Sequence, residues 1–207
     1  MSEEPKVFKG TTTVGIVFAE GVVLAADKRA SFSNFIASRE AEKIHVVGDK
    51  MAMTIAGGVG DAQTLVRALK AELELQKFSK GKDLTVKGAS TLLSNILQSN
   101  KYYPFMVQLI VAGFDESPQL FDLDPLGGLM KENYVSTGSG SVVAYGVLDE
   151  NYKESMTISD ASKLAVRAVS AAMKRDSATG DGIDLVVVTK NGVKRFSEEE
   201  INALKNR

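Results

Sequence analysis

Apolar residues recur along this chain with two different periods, and the order in which the periods follow one another predicts the architecture. Residues 11–17 (TTTVGIV) are mostly β-branched, and residues 21–27 (GVVLAAD) resume the pattern after a short Ala19-Glu20-Gly21 turn, so the two read as an antiparallel hairpin. Small and polar residues broken by Phe32 and Phe35 fill 28–42. A second hairpin over 43–47 and 51–56 turns at Gly48-Asp49, and Gly57-Gly58-Val59-Gly60 ends it. From Asp61 the period lengthens: Ala62, Val66, Leu69 and Leu73 share one helical face, and residues 84–98 repeat the theme with Val86, Ala89, Leu93, Ile96 and Leu97. Strands return at 107–113 and 119–123, and Gly127-Gly128 turns into another over 129–135. The hydroxyl-rich loop 136–141 (STGSGS) leads through a short helix to a longer one over 159–174, whose apolar face holds Ala161, Leu164, Ala165, Ala168, Val169 and Ala172. Strands over 183–189 and 193–196 bracket Asn191-Gly192, and Ser197 caps a last helix that begins with Glu198, Glu199 and Glu200.

Strands come in hairpins and helices in pairs, which is not the strict alternation of a parallel sheet. The pattern predicts an α+β fold of two antiparallel sheets stacked face to face with helix pairs outside, a four-layer αββα sandwich. At 207 residues with no linker-like stretch, residues 11–207 read as a single domain. The first ten residues (MSEEPKVFKG) are polar, carry Pro5 and lack the apolar core of a secretion signal, so residues 1–10 read as a flexible extension or a removable pro-segment.

Composition narrows the chemistry. With 25 basic against 26 acidic residues the net charge is -1, which supplies no field to draw nucleic acid or an anionic membrane; neither partner is expected. No apolar run approaches the ~18 residues of a membrane span. The absence of cysteine excludes disulfides, thiolate metal sites and a cysteine nucleophile, and fits a reducing cytoplasm. A single histidine, His45, argues against a catalytic zinc or iron site, and any Ser-His chemistry would have to run through it. A hydrolase built from this chain needs another general base, and a free α-amine, titrating near ~7.7–8.0, is one of the few available. Cleavage between Gly10 and Thr11 would supply it, giving one residue both the nucleophilic Oγ and the base, while glycine leaves the carbonyl before the cut open to attack. The same Thr-Thr-Thr-Val letters are also good strand sequence.

Five segments in order, GTTTVGIVFAEGVVLAADKRAS, MTIAGGVGDAQTLVRALKAELEL, TLLSNILQSNKYYPFMVQLIVAG, STGSGSVVAYGVLDENY and KRDSATGDGIDLVVVT, carry a resemblance over nearly the whole chain. The sequence resembles a proteasome β-type subunit of the archaeal, catalytic kind. The resemblance implies the N-terminal nucleophile hydrolase sandwich and a threonine endopeptidase that frees Thr11 by cutting after Gly10. It implies Asp27 and Lys43 as the carboxylate and lysine flanking Thr11, with Arg29 supporting them, and Gly57 as the backbone oxyanion donor. Ser139 and Asp176 match the residues that hydrogen-bond around the threonine amine; Thr179 stands where the family often has serine, keeping the hydroxyl with less rotamer freedom.

By the same resemblance, Ala30, Ser31, Ala41, His45, Ile55, Val59 and Gln63 line the primary substrate pocket. That lining is mostly small and apolar, with His45 a wall residue rather than a catalytic one. The expected partners are further β subunits in a seven-membered ring, α subunits, an ATPase cap and unfolded polypeptide, in the cytoplasm, with no metal and no organic cofactor. The alternative is an unprocessed, silent ring subunit supporting an active sister; a more distant one is an N-terminal nucleophile amidase acting on small molecules.

Overall fold

The computed structural model describes residues 10–32 and 34–205; of the expected pro-segment, residues 1–9 lie outside the described residues. In chain order the elements are β1 (Thr13–Phe18), β2 (Gly21–Asp27), β3 (Ala30–Phe32), β4 (Phe35–Ser38), β5 (Ile44–Gly48), β6 (Met51–Gly57), α1 (Val59–Lys80), α2 (Val86–Ser99), β7 (Val107–Phe114), β8 (Pro118–Leu123), β9 (Leu129–Lys131), β10 (Tyr134–Thr137), α3 (Ser141–Asn151), α4 (Ile158–Met173), β11 (Ile183–Thr189), β12 (Gly192–Arg195) and α5 (Glu198–Lys205). Two five-stranded sheets form, with orders β10-β1-β2-β11-β12 and β5-β6-β7-β8-β9, and every pairing in them is antiparallel. The ribbon β3-β4 stands apart as a two-stranded sheet.

The layers follow from strand alternation. Along β2, Val22, Leu24 and Ala26 face the other sheet and meet Ile44, Ala52, Ile110 and Leu120, while Val23 and Ala25 face outward onto α3 and α4. Both faces of β2 are therefore covered and all seven of its residues are buried, which is why its sequence reads as an unbroken apolar run. On the opposite side Met51, Met53 and Ile55 of β6 pack under Leu65, Val66 and Leu69 of α1 and Leu93 and Leu97 of α2. The order of layers is α3/α4, sheet, sheet, α1/α2, as the sequence pattern predicts.

Local signals set the helix ends. Thr157 caps α4 by a capping box with Asp160, and Ser197 and Glu200 make the reciprocal pair ahead of α5. Helix α1 stops at Gly81, which takes the left-handed conformation with φ 61° that a side chain would oppose.

Three details depart from the sequence pattern. Residues 129–135 are not one strand: β9 belongs to one sheet and β10 to the other, and the chain changes sheets at Glu132-Asn133. The weak stretch 28–42 holds the ribbon β3-β4, in which no residue is fully buried, so no alternation shows. Thr11 and Thr12 precede β1 instead of lying within it, which leaves their backbone free to serve the loops around them.

One strand residue is poorly placed for its charge. Burial in β8, with Glu132 and Asp124 nearby, raises the Asp122 carboxyl from 3.8 to about 6. Because the folded value lies above the unfolded one, the native state binds the extra proton and stability is lost as pH climbs through that window. Asp122→Asn is expected to raise the melting temperature at about pH 7.5, with the gain shrinking to nothing near pH 4 as the parent carboxyl takes up its proton; thermal denaturation at both pH values checks this.

Candidate active site

Thr11 sits at the end of the sandwich where β1, β2, β5 and the loops after β10 and α4 meet, and it is only 5% exposed. Its Oγ1 donates to the carbonyl oxygen of Gly10 at 2.5 Å, and Lys43 Nζ donates to the same oxygen at 3.4 Å. A hydroxyl and an ammonium thus converge on the one carbonyl that precedes Thr11. Gly10 is tightly enclosed: a Cβ there would fall 2.2 Å from Ser31 Oγ and 2.4 Å from the Ala178 carbonyl oxygen. No other residue fits that position without displacing β3 or the loop that follows α4.

Lys43 is held by Asp27, Nζ to Oδ1 at 2.7 Å, with side chains 6% and 0% exposed. The Asp27 carboxylate also accepts from the backbone N–H groups of Thr12 (2.9 Å), Arg29 (3.0 Å) and Gly180 (2.9 Å). Four donors make a buried carboxylate tolerable. Burial lowers the Lys43 ammonium from its ordinary 10.5, outweighing the attraction of Asp27, so this lysine gives up its proton more readily than an exposed one.

On the other side of Thr11, its backbone nitrogen donates to Ser139 Oγ at 3.3 Å, and Ser139 Oγ donates to Asp176 Oδ2 at 2.5 Å. Thr179 Oγ1 donates to the same Asp176 oxygen at 2.6 Å and shares a 2.8 Å hydrogen bond with Thr12 Oγ1. The threonine hydroxyl at 179 therefore stays within the network. Gly138 makes the approach possible: with φ 92°, a Cβ on it would lie 2.1 Å from the Thr11 carbonyl oxygen. Among the described residues the Arg29 side chain hydrogen-bonds to neither Thr11 nor Lys43. It braces the loop instead, Nε to Asp181 Oδ2 at 2.6 Å and Nη1 to the Ser177 carbonyl at 2.7 Å, and the hydrogen bond to Asp181 raises the guanidinium above its ordinary value.

A cavity of about 540 Å³ opens beside Thr11. Ala30, Ser31, Ala41, His45, Ile55, Val59 and Gln63 all line it, together with Gly10, Lys43 and Gly57. Gly57 has φ 120° and lies so close to β7 that a Cβ would meet the Met106 carbonyl oxygen at 2.1 Å. The His45 imidazole is half-buried, burial pushes it below 6.5, and its Nε2 finds no partner among the described residues. Burial favours its neutral form, and the ring stands in the cavity wall.

Phe32, Ala37 and Ser38 on the ribbon and Glu42 in the segment before β5 share the lining and were not legible, because neither stretch has a periodic signature. Thr12 and Asp181 were also missed as members of the network. Asp181 holds a positive φ of 62° ahead of Gly182, and the run Ser177-Ala-Thr-Gly-Asp-Gly of turn-forming residues was the available signal. Among the described residues no group of three His, Cys, Asp or Glu side chains could hold a metal ion.

The model of the family "Proteasome subunit" matches residues 7–188. A proteasome subunit beta of Methanosarcina barkeri is 49% identical over 205 residues, covering 98% of this chain and 97% of the relative. Those of Methanocaldococcus fervens and Ferroglobus placidus are each 51% identical, covering 97% and 96% of this chain and 91% and 96% of their own length. A buried threonine behind a glycine, flanked by a lysine–aspartate pair at one end of an αββα sandwich, therefore sits in a chain that belongs to the proteasome subunit family, as a β subunit.

Proposed function

We propose that this β subunit is of the catalytic kind, a threonine endopeptidase that cuts its own Gly10–Thr11 bond and then uses Thr11 on other chains. The observation that carries this is the convergence of Thr11 Oγ1 and Lys43 Nζ on the Gly10 carbonyl oxygen. Both draw electron density from the carbonyl and make its carbon the better electrophile. Once the hydroxyl turns, Oγ1 attacks that carbon, the C–N bond to Thr11 breaks, and the nitrogen takes the hydroxyl proton. Water then hydrolyses the resulting ester, releasing the leader as a carboxylate and restoring the hydroxyl.

The cut leaves Thr11 with a primary amine near neutral pKa, beside the Ser139–Asp176 pair that already receives its N–H. That amine takes the Oγ proton as the hydroxyl attacks a substrate carbonyl and passes it to the departing amine; water then clears the acyl-enzyme. Gly57 N–H is the proposed donor to the oxyanion, a contribution of about 2.7–4 kcal/mol where such a donor has been removed from a hydrolase. Ala30, Ala41, Ile55 and Val59 in the cavity wall favour an apolar side chain before the cut bond.

Proteasome β subunits assemble with α subunits in the core particle, and this one does so as a member of the family. A ring of seven β subunits, an ATPase cap delivering unfolded polypeptide and a cytoplasmic setting complete the proposal. No described helix is long and apolar enough to cross a membrane.

Thr11→Ala is expected to abolish both leader removal and peptide hydrolysis in particles assembled with α subunits, read by intact mass and a fluorogenic peptide. The parental subunit should lose residues 1–10 on assembly; a leader that persists would favour the silent-subunit alternative. Lys43→Ala should slow peptide hydrolysis by about 10²-fold or more. Asp27→Asn leaves the Lys43 ammonium buried without its counter-ion and should cost on the order of 3–5 kcal/mol of subunit stability, measured by denaturant titration.

A further inference from the structure

Three threonines that the reaction does not use form a hydroxyl chain between the two sheets. Thr54 Oγ1 on β6 donates to Thr13 Oγ1 on β1 at 3.0 Å, which leaves Thr13 its own proton for Thr137 Oγ1 on β10, 2.6 Å away. All three residues are buried, at 0%, 0% and 3% exposure. Ser136 Oγ donates to the Thr13 carbonyl oxygen at 2.8 Å, holding the same point of β1 a second time. Around them the inner faces meet largely through hydrocarbon, Leu24, Ile44, Ile110 and Leu120 among them.

For adhesion alone, valine would serve these positions: it has nearly the shape of threonine, and replacing both partners of a buried hydrogen bond by apolar groups is close to neutral. A hydrogen bond differs from an apolar contact in fixing distance and direction. The location gives that difference a use. Thr13 is two residues beyond Thr11, Thr137 two residues before Ser139, and Thr54 three residues before Gly57. The chain of hydroxyls therefore ties together, at one buried point, the strand of the nucleophile, the strand leading to the partner of its nitrogen, and the strand ending at the proposed oxyanion donor.

We propose that Thr54, Thr13 and Thr137 are positioning residues for peptide hydrolysis, setting the place of Thr11 relative to Gly57 across the gap between the sheets. This rests on the catalytic role given to Thr11, and it adds residues that touch no substrate.

The test uses the subunit assembled with α subunits, with rates normalised to active sites counted by a covalent threonine-directed inhibitor. Thr54→Val and Thr13→Val are each expected to lower kcat about 10-fold while KM stays within about 2-fold, since a small misplacement of reacting groups weakens the transition state more than binding. The double variant should be no slower than either single one, because both break the same chain. Thr54→Ser, which restores a hydroxyl, should recover most of the rate. A kcat per active site equal to the parent's in both valine variants, a serine variant as slow as the valine one, or a rate loss that merely follows a fall in melting temperature would overturn the proposal. Should Thr13→Val fail to assemble, Thr137→Val breaks the other end of the chain and carries the same expectation. A parent assembly that cleaves no peptide would remove the catalytic role of Thr11 and this proposal with it; an active parent with unaffected valine variants removes this proposal alone.

Discussion

A carboxylate with no contact with water organises this end of the molecule. Asp27 closes β2, and its two oxygens receive donors from Thr12, Arg29, Lys43 and Gly180, four places widely separated in sequence. A buried anion with any of these missing would be costly, because in the interior its lost hydration is replaced only by aimed hydrogen bonds. Satisfying the charge therefore gathers the segment before β1, the segment before β5 and the loop after α4 around one point. The residue that sits at that point is Thr11.

Two ion pairs near the site differ in kind. Lys43–Asp27 is buried on both sides, so added salt screens it little, and desolvation governs the lysine. Arg29–Asp181 is partly open, with side chains 21% and 10% exposed, and attraction governs the arginine. The first sets the protonation chemistry of an ammonium beside the Gly10 carbonyl. The second holds the 176–182 loop in the turn that delivers Asp176, Thr179 and the Gly180 N–H, with Asp181 in the left-handed region at its end. Removal of Arg29 would act through that loop, at a distance from Thr11.

Much of this was legible in the sequence, for physical reasons that can be named. Core strands such as β2 and β11 and the amphipathic helices α2 and α4 announce themselves because burial imposes a period. Elimination pointed to a free α-amine as a base, since a chain with no cysteine and one histidine has few others, and the resemblance placed that amine at Thr11, whose letters alone read equally as strand. The roles of Asp27, Lys43, Ser139 and Asp176 came from resemblance, as a lone lysine before a strand looks like any surface charge until the fold buries it. What escaped is what periodicity does not encode. The ribbon β3-β4 has no fully buried residue to set a period, the sheet change at Glu132-Asn133 falls on polar residues within a segment that otherwise reads as one strand, and Thr13, Thr54 and Thr137 look like ordinary β-formers although their hydroxyls find one another.

The passage of the chain from β9 to β10 joins an edge strand of one sheet to an edge strand of the other. It works as the spine of a book whose covers are the two sheets. Along the facing margin, Arg195 of β12 acts as a clasp, reaching the Ile44 carbonyl at 2.8 Å and Glu42 at 3.0 Å across the gap. Thr11 draws on both sides: Lys43, between Glu42 and Ile44, reaches the Gly10 carbonyl oxygen, and Ser139, just beyond β10, receives the Thr11 N–H. The Arg195 clasp therefore holds one flank of the site as the β9–β10 passage holds the other sheet margin, and loosening the clasp would shift the segment that carries Lys43.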